Sequence, residues 1–227
     1  MKRRSDHALV FMAKWPEPGR AKTRLTPELT LSQAAELACC FLLDTLDVAR
    51  AAGEDRWIAF APASAWTRFR QLVGPEVGLI HAEFESFGDS LRTAQQTALA
   101  MGYKSVSLVA SDVPHLPPDR YLDAFEALER ADVAIGPCAD GGYYLLAAKR
   151  ETPSLFRRIA WSTSTVYGDT LGRATEAGLR VVALPACSDV DTAADLELLY
   201  AELASRSESC RSLELLLRLR GSVASPV

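Results

Sequence analysis

Six consecutive apolar residues, Ala8 to Ala13, run without alternation into a loop that holds Pro16, Pro18 and Gly19 together with Lys14, Arg20, Lys22 and Arg24. A run so short and so apolar fits a buried strand, because it offers no polar face to water. A strand therefore stops, and a basic loop starts, at one point of the chain. In open α/β sheets ligands lie beyond the carboxyl ends of the strands, and a Pro/Gly-stiffened loop with four cations there suits a polyanion such as the phosphates of a nucleotide. In isolation the stretch also reads as a solvated basic turn.

The 227 residues, 48% of them hydrophobic, can fill the core of one large α/β domain. The expected organisation is a domain over 1–205 followed by a C-terminal helix and loose tail over 206–227. With Lys+Arg 25 against Asp+Glu 29 the net charge is only -4, which gives no global field for nucleic acid or an anionic membrane, so any polyanion bound is small. The cysteines, Cys39, Cys40, Cys138, Cys187 and Cys210, are odd in number and form no C-x-x-C pair. They read as buried thiols of a reducing cytosol rather than a disulfide framework or a zinc site. The apolar run near the N-terminus is too short for a signal segment and is cut by Lys14, which points to a soluble cytoplasmic protein.

Further along, helix and strand signals alternate in a βαβ rhythm. Thr30 with Gln33 forms a capping box for a helix ending near Gly53, and strands are predicted over 57–60 and 78–81 around a helix over 64–73. Asp89 is expected to cap a helix over 91–101. The β-rich run 105–110 then ends in SDVPHLPP, where Asp112 sits at a strand's carboxyl end, the place where α/β enzymes keep their chemistry. Asp112 is also readable as an acid ahead of a helix over 118–130, although Pro118 and Asp119 already serve that start. His115 reads as a solvated loop histidine within reach of substrate.

Strands are predicted over 132–136 and 143–148, joined by the Asp140-Gly141-Gly142 turn. Those glycines fit a hairpin turn and a close ligand approach equally well. A short helix is expected over 153–159, and Trp161-Ser162-Thr163-Ser164-Thr165 precedes a helix over 166–177 with hydroxyls that are either caps or an anion site. After a last strand over 179–184 come Asp189 and Asp191, two apart, so that in extended chain both carboxylates share one side and can converge on a hard cation. Thr192 and Asp195 form a capping box for a helix over 193–204.

FMAKWPEPGRAKTRL, SDVPHL, GPCADGGYYLLA, WSTSTV and SDVDTAADL, in that order, make the chain resemble the bacterial glycosyltransferase-like proteins of GT-A fold, of the arsenosugar-biosynthesis type. It is more distantly similar to the 2-phospholactate or phosphoenolpyruvate guanylyltransferases. The resemblance runs from about Leu9 to Leu199. It implies a single-domain Rossmann-like GT-A (nucleotide-diphospho-sugar transferase) fold, a mixed and mainly parallel sheet flanked by helices. It also implies that Lys14, Arg20, Lys22 and Arg24, with Gly19 shaping their loop, face nucleotide phosphates. Asp112, Asp189 and Asp191 would hold Mg²⁺ or Mn²⁺, and Gly141, Gly142, Ser162 and Thr163 would border the acceptor. Glycosyltransferases commonly mark the metal site with D-x-D, where this strand end reads SDVP.

The expected function is metal-dependent transfer from a nucleotide donor to a small-molecule acceptor, with no nucleic acid or membrane partner and with room for a homodimer. Four cations in one loop suit the β and γ phosphates of a leaving pyrophosphate, which favours nucleotidyl transfer from a triphosphate to an anionic acceptor, with Lys22, Arg24 and Asp112 carrying the chemistry. The alternatives are glycosyl transfer from a nucleotide-sugar, for which Asp140 is the acid or base to name, and a non-catalytic nucleotide binder.

Overall fold

The computed structural model describes residues 3–26 and 28–223, and it divides into two compact units. The first comprises the described residues up to Trp15, with 49–110 and 117–188. The second comprises 16–48, 111–116 and the described residues from Asp189 on. The tail expected at the C-terminus lies, from 224 on, outside the described residues, and 221–223 belong to a helix.

The first unit is a seven-stranded sheet with the order β3-β2-β1-β4-β6-β5-β7. Its strands are β1 (His7–Lys14), β2 (Asp55–Ala61), β3 (Gly78–His81), β4 (Ser105–Ala110), β5 (Val133–Pro137), β6 (Tyr143–Ala148) and β7 (Val181–Ala183). Every neighbouring pair is parallel except those made by β6, which runs against both β4 and β5. The fold is the mixed, mainly parallel α/β sheet that the motif order implies.

The unbroken apolar run of β1 has its reason in the two layers around it. Ala8 and Val10 join a core with Leu91, Ala94 and Ala98 of α3 (Phe87–Ala100). On α4 (Asp119–Ala127), Tyr121 meets the Phe11 ring edge-on at 6.3 Å and Phe125 stacks on His7 at 4.7 Å. Ala8, Leu9, Val10 and Phe11 are accordingly all 0% exposed. A polar residue at any of them would be desolvated on one face or the other. The carboxyl ends of β1 and β4 lie side by side, with Met12 opposite Ala110. The unit also holds α2 (Trp66–Val73) and α5 (Val166–Glu176).

Ser86, not Asp89, is the N-cap of α3. Its Oγ accepts from the Asp89 N–H at 3.0 Å and donates to the Asp89 carboxylate at 2.8 Å. The S-x-x-D spacing is a capping signal of its own, with Asp89 as its third residue. The helix expected over 118–130 ends at Ala127, and the strand expected over 179–184 spans Val181–Ala183. The five cysteines, expected to be buried, are all half-buried. His115, expected to be solvated, is buried.

The second unit packs α1 (Leu31–Arg50), as far as residue 48, with α6 (Ala193–Ala204) and α7 (Arg211–Val223). Leu37 and Phe41 of α1 share an apolar cluster with Leu25, Val190, Leu199, Leu203 and Leu216. The two capping boxes read from the sequence are formed: Thr30 with Gln33, and Thr192 with Asp195. Asp44, 3% exposed, fixes the start of α7 by accepting from Ser212 N at 2.7 Å, Ser212 Oγ at 2.5 Å and Arg211 N at 3.2 Å. Asp44→Ala leaves those buried donors unsatisfied and is expected to lower unfolding free energy by about 3 kcal/mol in urea titration. Among the described residues no helix is long and apolar enough to cross a membrane.

Candidate active site

The loop after β1 is shaped by its own residues. Pro18 and Gly19 occupy the middle of a turn closed by Arg20 N donating to Glu17 O at 2.9 Å, and Gly19 has φ +80, the type II signature in which glycine is strongly favoured. A 3-10 turn over Thr23–Leu25 follows, and Leu25 is buried in the apolar cluster of the second unit. Between these fixed points Lys22 takes left-handed backbone angles, φ 46 and ψ 42. For a residue with a Cβ that conformation costs on the order of 1–2 kcal/mol and is tolerated where the surroundings over-determine it.

Those surroundings are two carboxylates. Lys22 Nζ donates to Asp112 Oδ2 at 2.6 Å and to Asp191 Oδ1 at 3.0 Å, and it lies 6.0 Å from the centre of the Phe41 ring. Arg24 Nη1 reaches the other oxygen of Asp191 at 3.1 Å. Burial alone would lower the Lys22 pKa, but the charges and hydrogen bonds of Asp112 and Asp191 outweigh it and hold the value above that of an ordinary lysine. Lys22 is therefore an ammonium at neutral pH, with a side chain only 9% exposed. Lys22, Arg24, Asp112, Asp191 and the Phe41 ring all belong to the second unit.

Each acid is held by apolar neighbours in sequence. Asp112 precedes Val113 and Leu116, which are buried at 0% and 1% exposure. Val190 is buried between Asp189 and Asp191, and both acids stay half-exposed on either side of it. Asp195 has a second duty beyond the capping that the sequence assigns to it: its Oδ2 also accepts from the backbone N–H of Asp191 at 3.2 Å, fixing one of the acids that receive Lys22. Burial would raise the Asp195 pKa, but the hydrogen bonds from Thr192 and Asp191, with the Lys22 charge, hold it below the usual carboxylate range. Phe41 beneath the ammonium carries no sequence signal beyond helix periodicity.

Of the other candidates in this unit, Arg20 is 82% exposed at its side chain and pairs with Glu17 at 3.6 Å, and Asp189 is partnered as well. Lys14, Gly141, Gly142, Ser162 and Thr163 belong to the first unit. There Lys14 ends β1 exposed. Gly142 N donates to Asp140 Oδ1 at 2.8 Å, and Gly141, at φ +89, lies so close to Ser164 that an added Cβ would stand 2.0 Å from its carbonyl oxygen. Ser162 is left-handed at φ 64, and Thr163 Oγ1 donates to Ala160 O at 2.6 Å.

The sequence family described as "Uncharacterized protein conserved in bacteria (DUF2064)" matches residues 44–163. The chain belongs to the DUF2064 family. Among solved structures this DUF2064 protein is similar to a provisionally named nucleotide-diphospho-sugar transferase from Desulfovibrio desulfuricans G20, with 32% identity over 96% of each chain and a TM-score of 0.89. Two more distant structures share its fold at 17% identity over 88% of this chain and 99% of theirs. One is a CMP:2-keto-3-deoxy-manno-octonic acid synthetase complexed with CTP, at a TM-score of 0.55. The other is a Methanothermobacter nucleotidyl transferase, at 0.60. These structural neighbours are transferases. No curated protein matches the sequence.

Proposed function

We propose that this DUF2064 protein is a metal-dependent transferase with a nucleotide donor, acting by nucleotidyl transfer from a triphosphate to a small anionic acceptor. The observation that carries the reading is the convergence of Asp112 and Asp191 on one cation, Lys22 Nζ, beside the exposed guanidinium group of Arg24. Oxygen atoms of two carboxylates already drawn to one positive point form the hard donor set that Mg²⁺ or Mn²⁺ takes. Asp112 and Asp191, with Asp189 close by in sequence, would hold such an ion, which supplies neutralisation of polyphosphate charge.

In the proposed reaction an acceptor oxygen bonds to the α-phosphorus as the bond to the pyrophosphate oxygen breaks. Charge then grows on the β and γ groups. Arg24, 71% exposed at its side chain, presents a planar fork suited to that leaving group, and Arg20 of the same loop adds charge. The assignment of Gly141, Gly142, Ser162 and Thr163 to the acceptor stays with the motif resemblance.

A competition panel of the common triphosphates and nucleotide-sugars, read by thermal shift with Mg²⁺ and followed by pyrophosphate release, tests this reading. A triphosphate should bind more tightly than its diphosphate and than any nucleotide-sugar. Arg24→Ala should weaken the triphosphate by about 1.5–3 kcal/mol, the worth of a charge-assisted hydrogen bond. The second reading, glycosyl transfer, draws support from the name of the relative at 32% identity. Tight nucleotide-sugar binding with weak triphosphate binding would establish it instead, because a γ-phosphate would stand where the sugar belongs.

A further inference from the structure

We infer that Lys22 is a displaceable internal cation that couples divalent-metal binding to polyphosphate binding at this site, an inference that rests on the metal- and nucleotide-dependent reading above. Asp112 and Asp191 meet at the Lys22 ammonium, 2.6 and 3.0 Å from it. A divalent ion held by those two oxygens would need the position of the ammonium, since metal–oxygen bonds are short, about 2.0–2.1 Å for Mg²⁺. Metal and ammonium therefore compete for the same two oxygens.

The outcome depends on where the ammonium goes. Asp195, whose charge also interacts with Lys22, is occupied by Thr192 and by the backbone of Asp191. A metal arriving alone leaves a largely buried ammonium short of partners, which opposes binding. A metal arriving with a polyphosphate leaves that ammonium an anionic partner, within reach of a flexible four-carbon stem. Metal and polyphosphate then each raise the affinity of the other by one common factor, as linkage requires. Arg24 on the second oxygen of Asp191 keeps that carboxylate in place during the exchange.

Calorimetric titration of Mn²⁺ alone into the parent, Lys22→Met and Lys22→Arg proteins tests the competition without any turnover. Lys22→Met should bind Mn²⁺ at least about tenfold more tightly than the parent, within the usual range of coupling. Lys22→Arg, which keeps the cation, should stay close to the parent. Lys22→Gly removes the ammonium while accepting φ 46 without strain, and it replaces Lys22→Met if that variant fails to fold. In the parent, Mn²⁺ should tighten binding of the triphosphates ATP, CTP, GTP or UTP by at least tenfold, and in Lys22→Met by a few-fold at most. Mn²⁺ affinity equal to or weaker than the parent's in both Lys22→Met and Lys22→Gly would overturn the competition while leaving the metal reading intact. No Mn²⁺ binding by any variant, with or without a triphosphate, would overturn the metal reading and the inference with it.

Discussion

Asp191→Ala is expected to reduce pyrophosphate-releasing turnover by about a hundredfold or more, with little change in the fold. Its two oxygens are divided between Lys22 and Arg24, at 3.0 and 3.1 Å, so one substitution takes this carboxylate from Arg24, leaves Lys22 with Asp112 as its carboxylate partner and removes a metal-ligand candidate. Losing a preorganised electrostatic contact to developing charge commonly costs about 10²–10³ in rate, and here contact and organiser go together. The carboxylate is half-exposed and lies outside the apolar cluster, so the melting temperature should move by only a few degrees. Single-turnover pyrophosphate release on a substrate found by the competition panel provides the measurement. A rate within threefold of the parent would remove Asp191 from the machinery.

Gly141→Ala should lower the unfolding free energy by about 3 kcal/mol or more. Its Cβ would stand 2.0 Å from the Ser164 carbonyl oxygen and 2.6 Å from the carbonyl carbon, both backbone atoms that no rotamer change can move. The positive φ of +89 adds strain of about 1–2 kcal/mol for any residue with a Cβ. Gly142→Ala is the contrast, since the nearest atoms to its Cβ would be those of the Asp140 carboxylate, at 3.1 Å and beyond, and a side chain can shift. Its expected cost is under about 1 kcal/mol. Equal urea midpoints for the two variants would show that the segment around Ser164 yields freely.

The readable parts of this chain are those in which a local rule and the tertiary environment agree. The unbroken run of β1 forecasts burial on both faces, and the T-x-x-Q and T-x-x-D spacings at Thr30 and Thr192 forecast helix starts that the backbone then adopts. Asp89 was misleading because an acid and a serine three residues apart both carry capping chemistry, and only geometry shows that the serine is the cap. At the site, residue types were legible and their pairing was not. Lys22 is 90 residues from Asp112 and 169 from Asp191, and no local pattern announces a left-handed lysine held by acids so distant. For the same reason the sequence offered these acids as partners of a hard cation, whereas Lys22 already pairs with Asp112 and Asp191.

The three-segment construction of the second unit has a consequence for the order in which the chain acquires structure. β1 finds β4 only once Ser105, opposite His7, has been made, and Lys22 finds Asp191 only when most of the polypeptide exists. At typical translation speeds about 10 to 30 s separate the appearance of these two residues. Throughout that interval Leu37 and Phe41 await the leucines of α6 and α7, so a nascent chain carries an uncovered apolar face beside an unpaired lysine. Non-local closure of this kind folds slowly and exposes intermediates to aggregation. Early termination upstream of Asp189 would therefore yield a species suited to chaperone capture, and the lysine–aspartate pairing would be among the last events of biogenesis.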